Sequence, residues 1–352
     1  MEKEKIHFGG IDGLRTISCM AIIAMHIRSN TNYHLSSFFY DEVVSSWTEL
    51  VYLFLMISGF ALSVGYYDKV KSNKFDLNRF YSSRYKKTLP FFSLLILIEV
   101  LYNFNYTSLI EGITELTLSF GLLPNNSLDV IGVSWTLGVI FVFYFMYPFF
   151  VFLLYNKARA WLSFFISLFV NYFCQIYFFS GKFVIPDFTY RHTFIFCGPF
   201  FLVGGLVYLY LNDIIKWAKK SQFFILILSI LFSFLYYLVP DVFFGINVSI
   251  IKIIFVSVSW LIFSLSGKSR ILDNKFMSYF SKISLEMYLA QMVIFRLIEK
   301  TIGLYLFGDG IFSYLFVLLL TIIGLVIFIE GYKAVLKQIN KCILYIRGDN
   351  FD

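Results

Sequence analysis

Charge is scarce in this sequence of 352 residues, and the scarcity argues against a soluble fold. Asp, Glu, Lys and Arg together make up 14% of the chain, against about 25% in soluble domains. Hydrophobic residues make up 59%, including 45 Phe and 25 Tyr, a composition typical of helices in lipid with aromatic belts at both interfaces. We therefore interpret the chain as an all-α polytopic integral membrane protein.

Cysteine pairs and basic stripes are also missing. The four cysteines are scattered, with no CxxC motif and no Cys/His cluster, so neither a metal site nor a disulfide framework is predicted. The net charge of +7 comes from basic residues in short loops without a stripe among exposed aromatics, which argues against nucleic acid as a partner. The first apolar run lacks a small-x-small exit, so we expect no cleavable signal peptide.

Long apolar runs are present, and ten of them are candidates to cross a bilayer. They lie near residues 11–29, 47–67, 86–105, 133–155, 159–179, 192–211, 222–239, 248–266, 280–299 and 310–333. Lys and Arg fall in the segments 68–87, 156–160, 212–221, 267–282 and the C-terminal tail, whereas 30–46, 106–132 and 240–247 contain none. The positive-inside rule then predicts ten spans with both termini cytoplasmic, and a re-entrant or interfacial helix near 109–123. Because no linker or internal repeat divides residues 1–352, we expect a single bundle.

The first run carries two costly polar side chains, Arg15 and His26. Eleven residues at about 100° each return to within about 20° of one helix face, about 16 Å further along the axis. Ionisable residues inside a membrane call for a polar partner, a cavity or a ligand. The spacing leaves open a simpler alternative, in which Arg15 snorkels to the interface and His26 forms a hydrogen bond at the edge of a loop.

A basic stretch, residues 79–90, leads into the third run. Arg84 and Lys87 share a helix face and Lys86 flanks them, so these cations are candidates to bind the phosphates of a nucleotide-like ligand. Ordinary positive-inside anchoring is the alternative, because that rule itself predicts such clusters.

Seven further residues lie at the ends of the runs or inside them. Some are polar groups that need a partner in lipid, two allow helices to approach closely, and for others anchoring at the interface is the simpler interpretation. They are Glu49, Ser58, Gly59, Trp135, Arg191, Glu286 and Gln291.

Six segments, in order along the chain, resemble the acyltransferase 3 family of integral membrane proteins, whose members O-acylate surface and extracytoplasmic glycans. Each match is weak alone, and their common order over most of the chain makes the resemblance specific. The segments are DGLRTISCMAIIAMH (12–26, similar to the family's DGLR opening and Arg-x10-His pair), FLMISGF (54–60), RYKKTLP (84–90, similar to RxxRxxP), SWTLGVIFVFYFMYP (134–148), RHTFIFCGPFFLVGG (191–205) and SLEMYLAQ (284–291).

The resemblance implies an acyl transfer across the membrane. Acyl-CoA, most often acetyl-CoA, would donate from the cytoplasmic side, and a hydroxyl of a cell-surface or capsular polysaccharide would accept outside. His26 would act as general base or as acyl carrier, and Arg15 would orient the donor. Arg84, Lys86 and Lys87 would bind the CoA phosphates.

Weaker assignments complete this interpretation. Asp12 lies one turn before Arg15 and is expected to pair with it. On the acceptor side the candidates are Glu49, which would orient His26, together with Trp135 and Arg191. Ser58, Gly59, Glu286 and Gln291 are expected to support the site structurally. The cell membrane is the expected location, and the oligomeric state is not readable.

The chain departs from the family pattern at several positions. Ile140 and Phe141 replace the paired glutamates of one large branch, so no carboxylate from that helix can assist the chemistry. Gln291 stands where a histidine is common, and Lys87 keeps the charge of an arginine but loses its bidentate geometry. The extracytoplasmic hydrolase-like domain of some relatives is not found, so we expect the transfer to occur within the bundle.

Two other classes of function remain open. A transporter or flippase of glycan or lipid-linked sugar would also have many spans, a basic inner surface and buried polar groups, although no repeated halves are visible. A non-catalytic membrane partner would explain the missing glutamates, but it would not need the costly Arg15 and His26 pair.

Overall fold

A computed structural model describes residues 8–123, 128, 130–179, 181–185, 188–243, 246–267 and 269–347. The terminal residues 1–7 and 348–352, which the sequence predicts to be cytoplasmic, lie outside the described residues. The topology of the two termini therefore stays a prediction.

The described residues form a helical protein. The α-helices are α1 Gly9–Ser29, α2 Leu50–Lys71, α3 Leu77–Tyr102, α4 Tyr106–Leu116, α5 Trp135–Phe145, α6 Tyr147–Leu153, α7 Lys157–Tyr177, α8 Phe194–Leu209, α9 Leu211–Lys220, α10 Gln222–Leu238, α11 Ser249–Leu265, α12 Lys275–Thr301 and α13 Ile311–Arg347. Short 3-10 turns cover Trp47–Glu49, Phe120–Leu122 and Tyr190–His192, and a π-helical turn covers Phe39–Val44. Two antiparallel two-residue strands, Val242–Phe243 and Ile246–Asn247, make a small hairpin.

Every predicted apolar run contains helix, but fewer than ten helices meet the requirements for a span. Among the described residues, four segments are long and apolar enough: Gly9–Ser29, Phe39–Lys71, Lys157–Tyr177 and Ile311–Ile339. The number rises to six if α5 with α6, and α8 with α9, each count as one bent span. The helices α10 and α11 have only 17 residues each, and charged side chains interrupt α3 and α12. The fold is thus a helical membrane architecture, and the ten-span count stays a prediction.

Helix caps explain where the helices differ from the predicted runs. The Asp76 carboxylate accepts a hydrogen bond from the Arg79 N–H at 2.9 Å, so α3 begins at Leu77 and includes Pro90 in its interior. The predicted loop 212–221 is largely helix α9, which is bent by 76° from α8. Near 109–123, Asn105 and Ser108 form a capping box that starts α4.

Helix α1, which carries Arg15 and His26, packs against several other helices. Helix α1 contacts α2, α11, α12 and α13. Helix α2 packs closely on α8, because Gly59 and Gly204 leave room for the opposing backbone. A Cβ atom added at Gly59 would lie 2.3 Å from the Phe201 carbonyl oxygen. This close approach, which the sequence predicted for Gly59, fixes the position of α8 relative to α2.

Candidate functional site

A polar cavity of about 430 Å³ lies between α1, α2, α3, α5 and α12. Its lining includes Asp12 and Arg15 from α1, Arg84 and Lys87 from α3, and Glu286 from α12. With Lys282 from α12, four basic and two acidic side chains face one space. The cavity therefore has an excess of positive charge, which favours an anionic ligand.

Each of the two arginines in this cavity has a guanidinium nitrogen that is unbonded among the described residues. The Nε atoms of Arg15 and Arg84 are buried, and the described residues offer neither of them a hydrogen bond. The Arg84 guanidinium carbon lies 5.1 to 5.4 Å from the ring centroids of Tyr66, Phe80 and Tyr144, so cation–π contacts hold it in place. Buried polar groups almost always have a partner, and an anion bound in the cavity would supply one.

The carboxylates of the cavity do not form the ion pair predicted for Arg15. Asp12 Oδ1 accepts a hydrogen bond from the Ser281 hydroxyl at 2.8 Å, and the described contacts do not include a bond between Asp12 and Arg15. Both Asp12 and Glu286 still act electrostatically on the Arg15 guanidinium. Glu286 Oε2 is buried without a partner among the described residues. The two carboxylates thus lower the positive charge of the cavity, but the described contacts include no bond from either of them to Arg15.

Lys86 differs from its two basic neighbours. Unlike Arg84 and Lys87, it does not belong to the lining of the cavity. Helical spacing explains the difference, since residues 84 and 87 share a face whereas residue 86 points away from them. Of the three cations predicted to bind phosphate, the cavity therefore brings together Arg84 and Lys87. It adds Arg15 to them and leaves Lys86 outside.

A second polar cluster forms where α2, α5 and α8 begin. An Arg191 Nη2 atom donates to the Glu49 carboxylate in an ion pair, so the partner of Glu49 is Arg191 and not His26. The Arg191 guanidinium also lies over the Tyr52 ring, 5.6 Å from its centroid. Beside it, Trp135 stacks on His192 with ring centroids 4.0 Å apart and planes 10° apart. The three residues predicted for the acceptor side, Glu49, Trp135 and Arg191, thus lie in one cluster.

The cavity extends from the basic cluster toward this second cluster. Along α2 it is lined from Val51 to Leu62, a distance of about 16 Å at about 1.5 Å per residue. Thr136 lines it as well. Val51 lies two residues after Glu49, and Thr136 directly follows Trp135. The far end of the cavity is therefore within about one helix turn of the second cluster.

His26 lies near the end of α1 and outside the lining of the cavity. Ile22 and Ile23, at most 1% exposed, separate it from the Arg15 end of the helix. The His26 ring is partly buried, and the described contacts give it no hydrogen bond. The structure thus keeps Arg15 and His26 on one helix without placing both in one cavity.

Several lining residues were not predicted from the sequence. Ser281, Ser284 and Tyr288 on α12 face the cavity, and their i, i+3, i+7 spacing is a signal that could have identified them. On α5, Tyr144 lines the cavity together with Ile140 and Phe141, the two residues that stand in place of carboxylates. Helix α5 consequently presents the Tyr144 phenol, the Thr136 side chain and apolar side chains to this space.

Two of the predicted supporting residues, Ser58 and Gln291, lie at different places relative to the cavity. Ser58 lines the cavity. Gln291 is 1% exposed and donates a hydrogen bond to the Tyr288 carbonyl at 2.9 Å, while its Oε1 atom has no partner among the described residues. Gln291 therefore supports the segment of α12 that lines the cavity.

No curated protein and no solved structure matches the chain at a significant level. A family model described as an acyltransferase domain matches residues 8–330. The match includes α1, the basic cavity and the Glu49–Arg191 cluster. The chain belongs to the acyltransferase 3 family.

Proposed function

We propose that this membrane acyltransferase transfers an acyl group from cytoplasmic acyl-CoA to a hydroxyl of a cell-surface or capsular polysaccharide. Acetyl is the acyl group that we expect. The observation that carries the proposal is the basic cavity, in which Arg15 and Arg84 have buried Nε atoms without partners in the described protein. An acyltransferase needs a donor, and the phosphates of CoA are the polyanion that such a cluster suits. The plasma membrane is then the expected location, since donor and acceptor lie on opposite sides.

The donor would bind with its phosphates at Arg84 and Lys87 and its acyl end toward Thr136. Arg84 is the better placed of the two cations, because three aromatic rings already surround its guanidinium and little side-chain entropy would be lost on binding. Arg15 would bind a phosphate or compensate charge further along the cavity. The apolar lining between the two ends suits the pantetheine arm and a short acyl chain.

His26 would supply the proton transfer. As a general base, its neutral imidazole takes the proton of the acceptor hydroxyl while the hydroxyl oxygen bonds to the thioester carbonyl carbon. The carbon–sulfur bond then breaks, and the leaving CoA thiolate takes the proton back from the imidazolium. As a carrier, the imidazole would bear the acyl group between two such steps. Both routes need His26 to meet the far end of the cavity.

The acceptor would bind at the second cluster. Stacked rings such as Trp135 and His192 offer an apolar face for a sugar, and the Glu49–Arg191 pair offers hydrogen-bonding groups to its hydroxyls. This cluster adjoins the end of the cavity that the acyl group would occupy.

The experiment compares surface glycan from cells that express the wild type, His26→Ala or His34→Ala at equal membrane abundance. His34 is the matched control, because its side chain is 84% exposed and pairs with Asp309 away from the cavity. Proton NMR would quantify O-acyl signals that disappear in mild alkali. We expect His26→Ala to lose about 100-fold or more of the O-acylation, the usual contribution of a general acid–base residue, and His34→Ala to keep it.

The other outcomes decide between function classes. Unchanged O-acylation in His26→Ala would exclude the catalytic role of His26. Loss of the glycan from the surface, with acylation of the remaining material unchanged, would favour the transporter or flippase alternative.

A further inference from the structure

A second cavity lies apart from the candidate site, as an apolar groove of about 700 Å³ between α7, α8, α9 and α11. Its volume falls within the range of about 300 to 1,000 Å³ that is typical of small-molecule sites. Helix α7 contributes Trp161, Phe164, Phe165 and Leu168, and α11 repeats the i, i+3, i+4, i+7 spacing with four side chains between residues 251 and 258. Each helix thus presents one continuous apolar face to the groove.

The groove opens toward the outside of the bundle. Its floor is α8, where Val203 and Val207 are 6% and 5% exposed. Its walls are far more accessible, with Phe165 59% and Phe255 53% exposed. In a membrane protein such a lateral opening faces the acyl chains of the surrounding lipid.

One end of the groove has the composition of a membrane–water boundary. Helix α9 closes this end after its sharp bend from α8. Trp161 Nε1 donates a hydrogen bond to the Tyr210 hydroxyl at 3.1 Å, and Trp217 lies beside them in the lining. Trp and Tyr concentrate at the level of lipid headgroups, where one side of the ring is apolar and the other is wet.

Three lysines lie outside the lining itself, on the two helices that meet at the same end, α7 and α9. Lys157 Nζ lies 4.1 Å from the Tyr210 ring centroid and 3.4 Å from Asp213 Oδ2. Lys220 follows Trp217 by three residues, which places it within about 60° of the same face of α9, and Lys216 flanks that face. All three lysines are exposed, and they outnumber the single carboxylate of Asp213 in the lining. The charge at this end complements an anionic headgroup.

We propose that the groove binds an anionic glycerophospholipid of the surrounding bilayer. One acyl chain lies along the apolar faces of α7, α8 and α11, and the phosphate lies at the Trp161–Trp217 end within reach of Lys157, Lys216 and Lys220. The site is separate from the basic cavity of the acyl donor, so the proposal does not depend on the reaction.

The experiment uses the purified full-length protein and native mass spectrometry. The probes are phosphatidylglycerol and phosphatidylcholine with identical acyl chains. Val207→Trp fills the floor of the groove, and a triple variant, Lys157→Gln/Lys216→Gln/Lys220→Gln, removes the charges but leaves the groove intact. Ile227→Trp is the matched control, since this side chain of α10 is 46% exposed and lies outside the groove.

We expect the wild type and Ile227→Trp to retain one phosphatidylglycerol per chain in preference to phosphatidylcholine. Val207→Trp should lose it, and each lysine removed should weaken the preference by about fivefold. If Val207→Trp does not fold, the triple variant decides alone, because its packing is that of the wild type.

Three results would overturn the proposal. One is equal retention of the two lipids, and another is a triple variant with wild-type preference. The third is a dimer that Val207→Trp dissociates, which would assign the groove to a second copy of the chain.

Discussion

The two polar regions of the bundle use arginine in opposite ways. In the basic cavity, Arg15 and Arg84 have aromatic and electrostatic neighbours but no carboxylate bonded to them among the described residues. In the second cluster, Arg191 is bonded to Glu49, and the neighbouring Trp135 and His192 rings are stacked on each other. The basic cavity thus has arginines without a bonded anion among the described residues, whereas the second cluster contains the Glu49 carboxylate as the counterion of Arg191.

This difference indicates different roles for the two regions. A cavity whose cations outnumber its carboxylates, four to two, costs free energy in the empty protein and recovers it when an anion binds. In the second cluster the charge of Arg191 is already paired with Glu49, although its Nε atom also has no hydrogen-bond partner among the described residues. The cluster can therefore hold helix ends together and offer weak recognition to an uncharged sugar. The comparison therefore supports the proposal that the donor binds in the cavity and the acceptor at the cluster.

The largest effect is expected when two cations are removed from the basic cavity. In Arg84→Gln/Lys87→Gln we expect kcat/KM for acyl-CoA to fall by about 1,000-fold, because two charge-assisted contacts of about 2 kcal/mol each would be lost. Lys86→Gln is the control, since its side chain lies next to these residues in sequence but outside the cavity. Transfer from acyl-CoA would be measured in membrane vesicles over a range of donor concentrations. Equal losses in the control and the double variant would contradict a phosphate site and favour general anchoring.

The next largest effect is expected when the ion pair of the second cluster loses its carboxylate. Glu49→Gln leaves the Arg191 guanidinium, whose side chain is only 31% exposed, without its counterion. We expect the free energy of unfolding to fall by about 4 kcal/mol, as for other buried pairs that lose one partner. Glu330→Gln is the control, because its pair with Lys333 is 46% and 43% exposed and should contribute less than about 1 kcal/mol. Denaturant titration in detergent micelles, followed by circular dichroism, would measure both.

A double variant sharpens the same point. Glu49→Gln/Arg191→Gln removes the unpaired charge and should recover part of the lost stability. If it is no more stable than Glu49→Gln, the pair does not account for the loss.

The sequence identified the charges of the site better than their partners. Helical spacing alone places Arg84 and Lys87 on one face and, applied strictly, removes Lys86. The partners come from distant segments: Ser281 is 269 residues from Asp12, and Arg191 is 142 residues from Glu49. Local periodicity has no access to such contacts, so it paired Asp12 with Arg15. The pairing of Glu49 with His26 was an expectation drawn from the family resemblance.

The number of spans was beyond the reach of composition for a similar reason. Apolar runs locate the helices well, but whether a helix crosses depends on its length, its bends and the charges that the fold buries. The 70° break between α5 and α6 occurs before Pro148, and the charges of α3 and α12 face the cavity in part. Neither the break nor the burial of these charges in a cavity is visible as a loss of hydropathy.

The smallest effect concerns Glu115, a buried carboxyl that, unlike Glu49, has no cation bonded to it among the described residues. It lies in α4, outside the predicted spans, and its Oε1 accepts hydrogen bonds from the Ser134 hydroxyl and the Ile131 N–H. Burial raises the pKa of Glu115 from 4.5 to about 7, so between these values the folded protein binds more protons than the unfolded chain. The stabilisation is therefore fully present below about pH 4.5 and is lost as the pH rises through about 7. Relative to Glu115→Gln, we expect the wild type to lose about 3 kcal/mol over this range, with exposed Glu42→Gln following the wild type. Apparent melting temperatures between pH 5 and 8 would measure the difference, and parallel profiles of the wild type and Glu115→Gln would contradict a proton held on Glu115.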